Sequence, residues 1–257
     1  MQQLIYTLLH YLNNVINKDT NYHIACKVLE HIYELEHYSL EKMASLCFVS
    51  PATINRFCKQ IGYSNYSTLR HISSIREEKY LDEHVLEEEA MESYRQAIYD
   101  SLQTIHDLDL HLLDQALMSI HSSKRCIGLG YGSYQHYILD LQKKLFSCGK
   151  YMEIYIDMIR QMEEIESLTK DDVVLITSLQ GKYLFNEKFL RYEKIKRCGC
   201  KTILVTQMED PKVLEKFDHV LFCGKKEYGD ANKYALIRLY DLIAQRYRLV
   251  YHPMIKE

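Results

Sequence analysis

The sequence predicts a multidomain chain: an all-α helix-turn-helix head, then an α/β domain with a five-stranded parallel sheet flanked by helices. Three observations predict it. Apolar residues keep helical spacing up to about residue 120, whereas beyond Arg125 short apolar runs alternate with helix-length segments. Ser39 to Tyr63 reads as two short helices joined by a tight turn. The 257 residues are enough for two modest domains, each with its own core. Residues 1–77 are expected to form the head, 78–107 a helical connector and 108–257 the α/β domain.

The opening segment carries Leu4, Leu8, Leu12 and Val15 at amphipathic spacing, and it lacks the basic start and cleavage site of a signal peptide. Its apolar stripe suits packing or a dimer surface. His23 to Glu36 predicts a helix with Ile24, Val28, Leu29 and Ile32 inward. Ser39 is placed to cap the next helix, whose Leu40, Met43, Ala44 and Leu46 share a face. Ser50 is placed to cap the helix after the turn, and Pro51 at its first position sacrifices no intrahelical donor. In that second helix Ile54, Phe57, Cys58 and Ile61 point inward, leaving Thr53, Asn55, Arg56, Lys59 and Gln60 outward. Gly62 supplies a residue tolerant of positive φ at its end. Tyr66 to Arg76 predicts a further helix packed through Leu69, Ile72 and Ile75, and residues 77–120 stay helical but become acidic.

Five apolar runs then predict buried strands: 126–130, 151–156, 173–177, 202–206 and 219–223. Amphipathic segments at 134–148 and 183–198 separate some of them, and a last helix covers about 231–249. Crossovers of that length imply parallel strands covered on both faces, with ligands beyond their carboxyl ends.

Composition is that of a cytoplasmic globular protein, 47% hydrophobic and 26% charged, with no run near the roughly 20 apolar residues of a membrane span. Eight scattered cysteines form no CxxC, and the Cys198-Gly-Cys200 pair has no partner at zinc-finger spacing. Reduced thiols, no metal and no cofactor are therefore expected. The net charge of −3 hides a polarity along the chain. Lys42, Arg56, Lys59, Arg70 and Arg76 stand in a stretch free of Asp and Glu, a local balance of +5, while Glu77 to Glu92 holds eight acids and one lysine. A basic, acid-free helical head suits the phosphates of double-stranded DNA.

The stretch Ser39-LEKMASLCFVSPATINRFCKQIG-Tyr63 resembles the RpiR/MurR family of bacterial transcription regulators, through Val49-Ser50, Ala52-Thr53-Ile54, Arg56-Phe57 and Ile61-Gly62-Tyr63. That resemblance extends over most of the chain and implies a C-terminal SIS (sugar isomerase) domain that binds phosphosugars. It also implies an operator affinity set by a sugar phosphate or amino-sugar phosphate. The loop Gly128-Leu-Gly-Tyr-Gly-Ser133 stands where the family has a glycine-containing loop, with Gly132 aligned to its first serine. Thr177-Ser-Leu-Gln-Gly-Lys-Tyr183 is similar to the family's S-x-S-G-x-T, but Gln180 replaces a serine and Tyr183 the threonine.

Candidate ligand residues are thus Gly130, Gly132, Ser133, Ser178, Gln180, Gly181 and Lys182, offering backbone N–H groups, hydroxyls and one cation to a phosphate at a helix start. Candidate DNA residues are Ser50, Thr53, Asn55, Arg56, Lys59, Tyr66 and Arg70, the first four near the end of the recognition helix that enters the major groove. Three alternatives remain at this point. Dinucleotide binding would use Asp157 on a ribose, but Ser133 occupies the third glycine position of GxGxxG. An isomerase would need a placed base, and Glu163, Glu164, Glu187, His136 and His219 offer none by spacing, so no catalytic residue is assigned. A degenerate SIS domain would only dimerise. One helix-turn-helix reads few base pairs, so a homodimer or homotetramer on an operator is expected, with no membrane partner.

Overall fold

The computed structural model describes residues 1–74, 87–130, 132, 134–155, 158–181, 184 and 191–252. The chain divides into two compact units, Met1–Lys79 and Tyr80–Glu257.

The first unit is helical. After α1 (Gln2–Asn14), α2 (Thr20–Glu30) begins at Thr20 rather than His23, because the Asp19 side chain accepts the Tyr22 N–H at 2.9 Å. It also stops short of the expected Glu36: the chain turns at His31 to Glu34 and forms a 3-10 turn at Leu35–His37. Ser39 Oγ accepts the Lys42 N–H at 3.1 Å and opens α3 (Leu40–Leu46). Ser50 Oγ accepts the Thr53 N–H at 3.2 Å and opens α4 (Pro51–Gln60), and α5 (Tyr66–Ser74) follows. Met43 and Ala44 of α3 and Ile54, Phe57 and Cys58 of α4 close on Leu4, Leu8, Ile24, Val28 and Leu69 in one core. The α3–turn–α4 pair is the expected helix-turn-helix.

In the second unit α6 (Glu87–His106) and α7 (Leu110–Ser122) are separate helices. The apolar spacing that runs through residues 98–120 conceals a break where the Asp109 carboxylate accepts the His111 N–H at 2.8 Å. Helix α6 belongs to this unit's packing: Ser101 Oγ donates to the Ala231 carbonyl at 3.1 Å, Thr104 Oγ1 accepts the Gly224 N–H at 3.1 Å, and Ile105 enters the core.

Among the described residues five strands form one parallel sheet: β1 (Cys126–Gly130), β2 (Met152–Ile154), β3 (Val173–Thr177), β4 (Lys201–Thr206) and β5 (His219–Phe222), in the order β2-β1-β3-β4-β5. Every residue of β1 and β3 is buried, which is why both read as continuous apolar runs. One face packs on α6, α7, α8 (Tyr134–Ser147) and α12 (Asn232–Tyr251), the other on α9 (Met158–Glu166) and α10 (Arg191–Cys198). A short helix, α11 (Pro211–Leu214), precedes β5. Gly128 has a packing role: a Cβ there would come within 2.6 Å of Ile138 Cδ1 and 2.7 Å of Ile154 Cγ2, so its absence lets α8 seat on the sheet.

No described helix is long and apolar enough to cross a membrane. All eight cysteines are free thiols; Cys58 is buried in the first unit, Cys126, Cys200 and Cys223 in the second. No group of His, Cys, Asp or Glu side chains able to hold a metal lies among the described residues.

Candidate nucleic-acid interface and sheet-edge site

Helix α4 presents a short polar face. Ser50 Oγ, besides capping the helix, lies 2.9 Å from Thr53 Oγ1, which fixes both hydroxyls at its N-terminus. Arg56 and Lys59 are exposed, with no hydrogen bond or ion pair among the described residues. Arg70 is half-buried on α5 and donates through Nη1 to the Tyr38 carbonyl at 3.4 Å, and the Lys42 ammonium lies 5.9 Å from the centre of the Tyr38 ring. The N–H groups at the start of α4 add positive potential to this face.

Two of the expected contact residues do other work. Tyr66 is 3% exposed, and its phenol donates to the Tyr38 carbonyl at 3.1 Å, so it is a core residue and its ring cannot reach a phosphate. Asn55 accepts the Tyr66 N–H on its Oδ1 at 2.9 Å. It therefore links α4 to the start of α5, where Asn65 is the local cap, its Oδ1 accepting the Thr68 N–H at 2.9 Å. Gln60, read as outward, accepts from Asn21 Nδ2 at 2.7 Å and ties α4 to α2.

The second arrangement lies at the carboxyl edge of the sheet. The connection after β1 leads to β2 on one side and that after β3 to β4 on the other, so the switch point falls between β1 and β3. There Gly130 pairs with Thr177, bringing the loop holding Gly130 and Gly132 beside the loop holding Ser178, Gln180 and Gly181. Gly132 and Gly181 adopt φ of +62° and +77°, conformations that a side chain would strain. Ser178 is 3% exposed; its N–H continues the ladder to Val205, its carbonyl accepts from Gly181 N–H and Thr206 Oγ1, and its hydroxyl has no partner among the described residues. Thr177 is not free to bind: its hydroxyl pairs with Tyr240 at 2.5 Å. Gln180 is exposed at the loop tip. Ser133 and Lys182, together with Asp157, Tyr183 and Glu187, lie outside the described residues.

Gln135 was passed over by motif reading. It sits in the first turn of α8, is 1% exposed, donates to the Gly130 carbonyl at 3.4 Å, and leaves its Oε1 without a partner among the described residues. Its only sequence signal was a polar residue two positions past the glycine loop.

The candidate bases are scattered. Glu164 accepts from Arg125, the residue just before β1, at the amino edge of the sheet. His219 opens β5 at that same edge, with its Nε2 2.8 Å from Ser119 Oγ, and burial pushes its pKa down. Glu163 and His136 are exposed. Glu164 and His219 thus lie at the edge opposite Ser178, whereas His136 follows Gln135 in the first turn of α8.

Residues 7–75 match the helix-turn-helix domain model of the rpiR family. The head is an RpiR-family helix-turn-helix. The chain is 28% identical over 223 residues to an HTH-type transcriptional regulator of Haemophilus influenzae, spanning 80% of this chain and 76% of that one. Among solved structures, the NanR protein of Vibrio vulnificus complexed with ManNAc-6P is similar over 96% of this chain and 92% of its own, with a TM-score of 0.54 at 18% identity. The sugar isomerase domain of an RpiR transcription factor from Sphaerobacter thermophilus aligns with 63% of this chain and 90% of its own, at a TM-score of 0.54 and 17% identity. The fold of the second unit is that of these SIS domains.

Proposed function

We propose that the chain is a DNA-binding transcriptional regulator whose operator affinity responds to a phosphorylated sugar or amino sugar at the β1/β3 edge. The observation that carries this reading is the Thr53–Arg56–Lys59 face of an RpiR-type recognition helix, with both cations exposed, in a stretch without a single acid. Ser50, Thr53, Arg56, Lys59 and Arg70 are the contacts: Arg56 is placed for the groove, Lys59 and Arg70 for phosphates. Two copies on a pseudo-palindrome supply useful affinity, so the working form is a homodimer or larger.

For the effector, the support is chemical. Ser178 and Gln135 bury polar atoms at the switch point, where an orphaned buried oxygen has a substantial desolvation cost that a ligand hydroxyl or phosphate relieves. Gly132 and the start of α8 offer backbone N–H groups to an anion. NanR, similar over nearly its whole length, is complexed with a sugar phosphate. A turnover function draws no support from Glu164 and His219, which are held at the opposite edge of the sheet. An SIS unit that only pairs copies is the second reading, favoured by Gln180 and Tyr183 in place of the family's hydroxyls.

The experiment joins both halves. Arg56→Ala weakens retention on promoter fragments from the protein's own locus by roughly tenfold or more, while Ser178→Ala leaves ligand-free DNA affinity unchanged. A sugar phosphate at 100 times its Kd stabilises the wild type by about 2.7 kcal/mol and stabilises Ser178→Ala less. Equal loss of DNA binding in both variants contradicts the division of labour, and no thermal shift with any sugar phosphate favours the pairing-only reading.

A further inference from the structure

Helices α3 and α4 end in the same backbone motif. After α4, the Tyr63 N–H donates to the Cys58 carbonyl at 2.8 Å and the Gly62 N–H to Lys59 at 3.2 Å, with Gly62 at φ +92°. After α3, the Val49 N–H donates to the Ala44 carbonyl at 3.0 Å and the Phe48 N–H to Ser45 at 3.1 Å, with Phe48 at φ +54°. This pair of bonds requires a left-handed residue, which glycine adopts without strain and a bulky side chain does not. The chain uses glycine at the second stop and phenylalanine at the first. Phe48 is the one non-glycine residue at positive φ among the described residues.

Folding does not explain the choice, since the ring is 95% exposed and adds nothing to the core. Its location does suggest a use. Phe48 lies two residues before Ser50, the cap of α4, so its Cα is within about 7 Å of the recognition helix's first turn. The stretch from Lys42 to Arg76 around it holds no acid. We infer that Phe48 is a further specificity residue, an apolar probe that packs on thymine 5-methyl groups where α4 enters the major groove. Resting on the DNA-binding reading above, this adds a large apolar contact at the turn to the base readout of α4, directed at the methyl that marks thymine in that groove. A strained, exposed aromatic beside a binding helix is the kind of local cost that function retains.

The test uses the full-length protein and a duplex selected by the wild type from a random library. Phe48→Gly and Phe48→Asn, both at ease in the left-handed region, raise the melting temperature of the head by about 4 °C. They bind the selected duplex roughly tenfold more weakly, with an unchanged salt slope. Replacing thymine by uracil in that duplex weakens the wild type by a similar factor and leaves both variants unaffected. Variants that match the wild type on the duplex, or that lose as much on uracil, overturn the inference and assign the ring to another surface such as a protein partner. A wild type that selects no duplex and shows no salt-sensitive retention overturns the regulator reading itself, and this inference with it.

Discussion

At Asn55 one side chain ties α4 to the start of α5, which Asn65 caps by accepting the Thr68 N–H at 2.9 Å. Asn55 Oδ1 receives the Tyr66 N–H at 2.9 Å, across eleven residues of chain, satisfying a donor that the first turn of a helix leaves open. Asn55→Ala is therefore expected to destabilise the head by about 1 kcal/mol in denaturant melts, and to lower DNA affinity only as far as the unfolded fraction requires. If DNA binding collapses while the melt is unchanged, Asn55 belongs to the groove after all. The caps at Ser39 and Ser50 and the stop at Gly62 were legible in the sequence because each acts within three or four residues. The bonds of Asn55 and Tyr66 were not legible because a helical wheel ranks faces around one axis and cannot see a third helix arriving. Tyr66 reaches its acceptor at Tyr38, and no local pattern marks that pairing.

At the scale of elements, strands buried on both faces announced themselves as apolar runs, and β1 and β3 match the expected 126–130 and 173–177. Boundaries governed by one aspartate did not. The Asp19 and Asp109 caps move the start of α2 and split α6 from α7, though continuous spacing suggested otherwise. The two loops that meet at the switch point were legible, yet Gln135 beside them was missed because its place there depends on burial. A tie at the opposite edge of the sheet carries a pH dependence. Arg125 donates to both Glu153 oxygens at 2.9 and 2.7 Å and to Glu164 at 2.8 Å, joining the start of β1 to β2 and α9. That guanidinium holds the Glu153 carboxyl below its ordinary value of 4.5. With a depressed native pKa the unfolded chain binds the proton first, so the contribution is complete above about 4.5 and disappears as pH falls through the native value. Urea midpoints measured from neutral to acid pH should fall less steeply in Glu153→Gln than in the wild type; parallel curves would show that the tie carries no linkage.

For the whole molecule, charge distribution outranks charge total. A net charge of −3 would repel DNA, so attachment rests on the basic stretch Lys42 to Arg76 and must be strongly screened. The logarithm of affinity should fall linearly with the logarithm of salt, and Lys59→Ala should shallow that line by about one unit per head engaged. A salt-independent affinity would remove the phosphate contacts from the account. One feature of the two cores is also of practical use. Burial pushes the thiols of Cys58 and Cys126 up to about 12, so both are shielded and protonated while folded. Each core thus houses a native chronometer: pulses of an alkylating reagent, read by mass spectrometry, would time openings of one half at Cys58 and of the other at Cys126, and so tell which half a duplex or a metabolite steadies, without any engineered label.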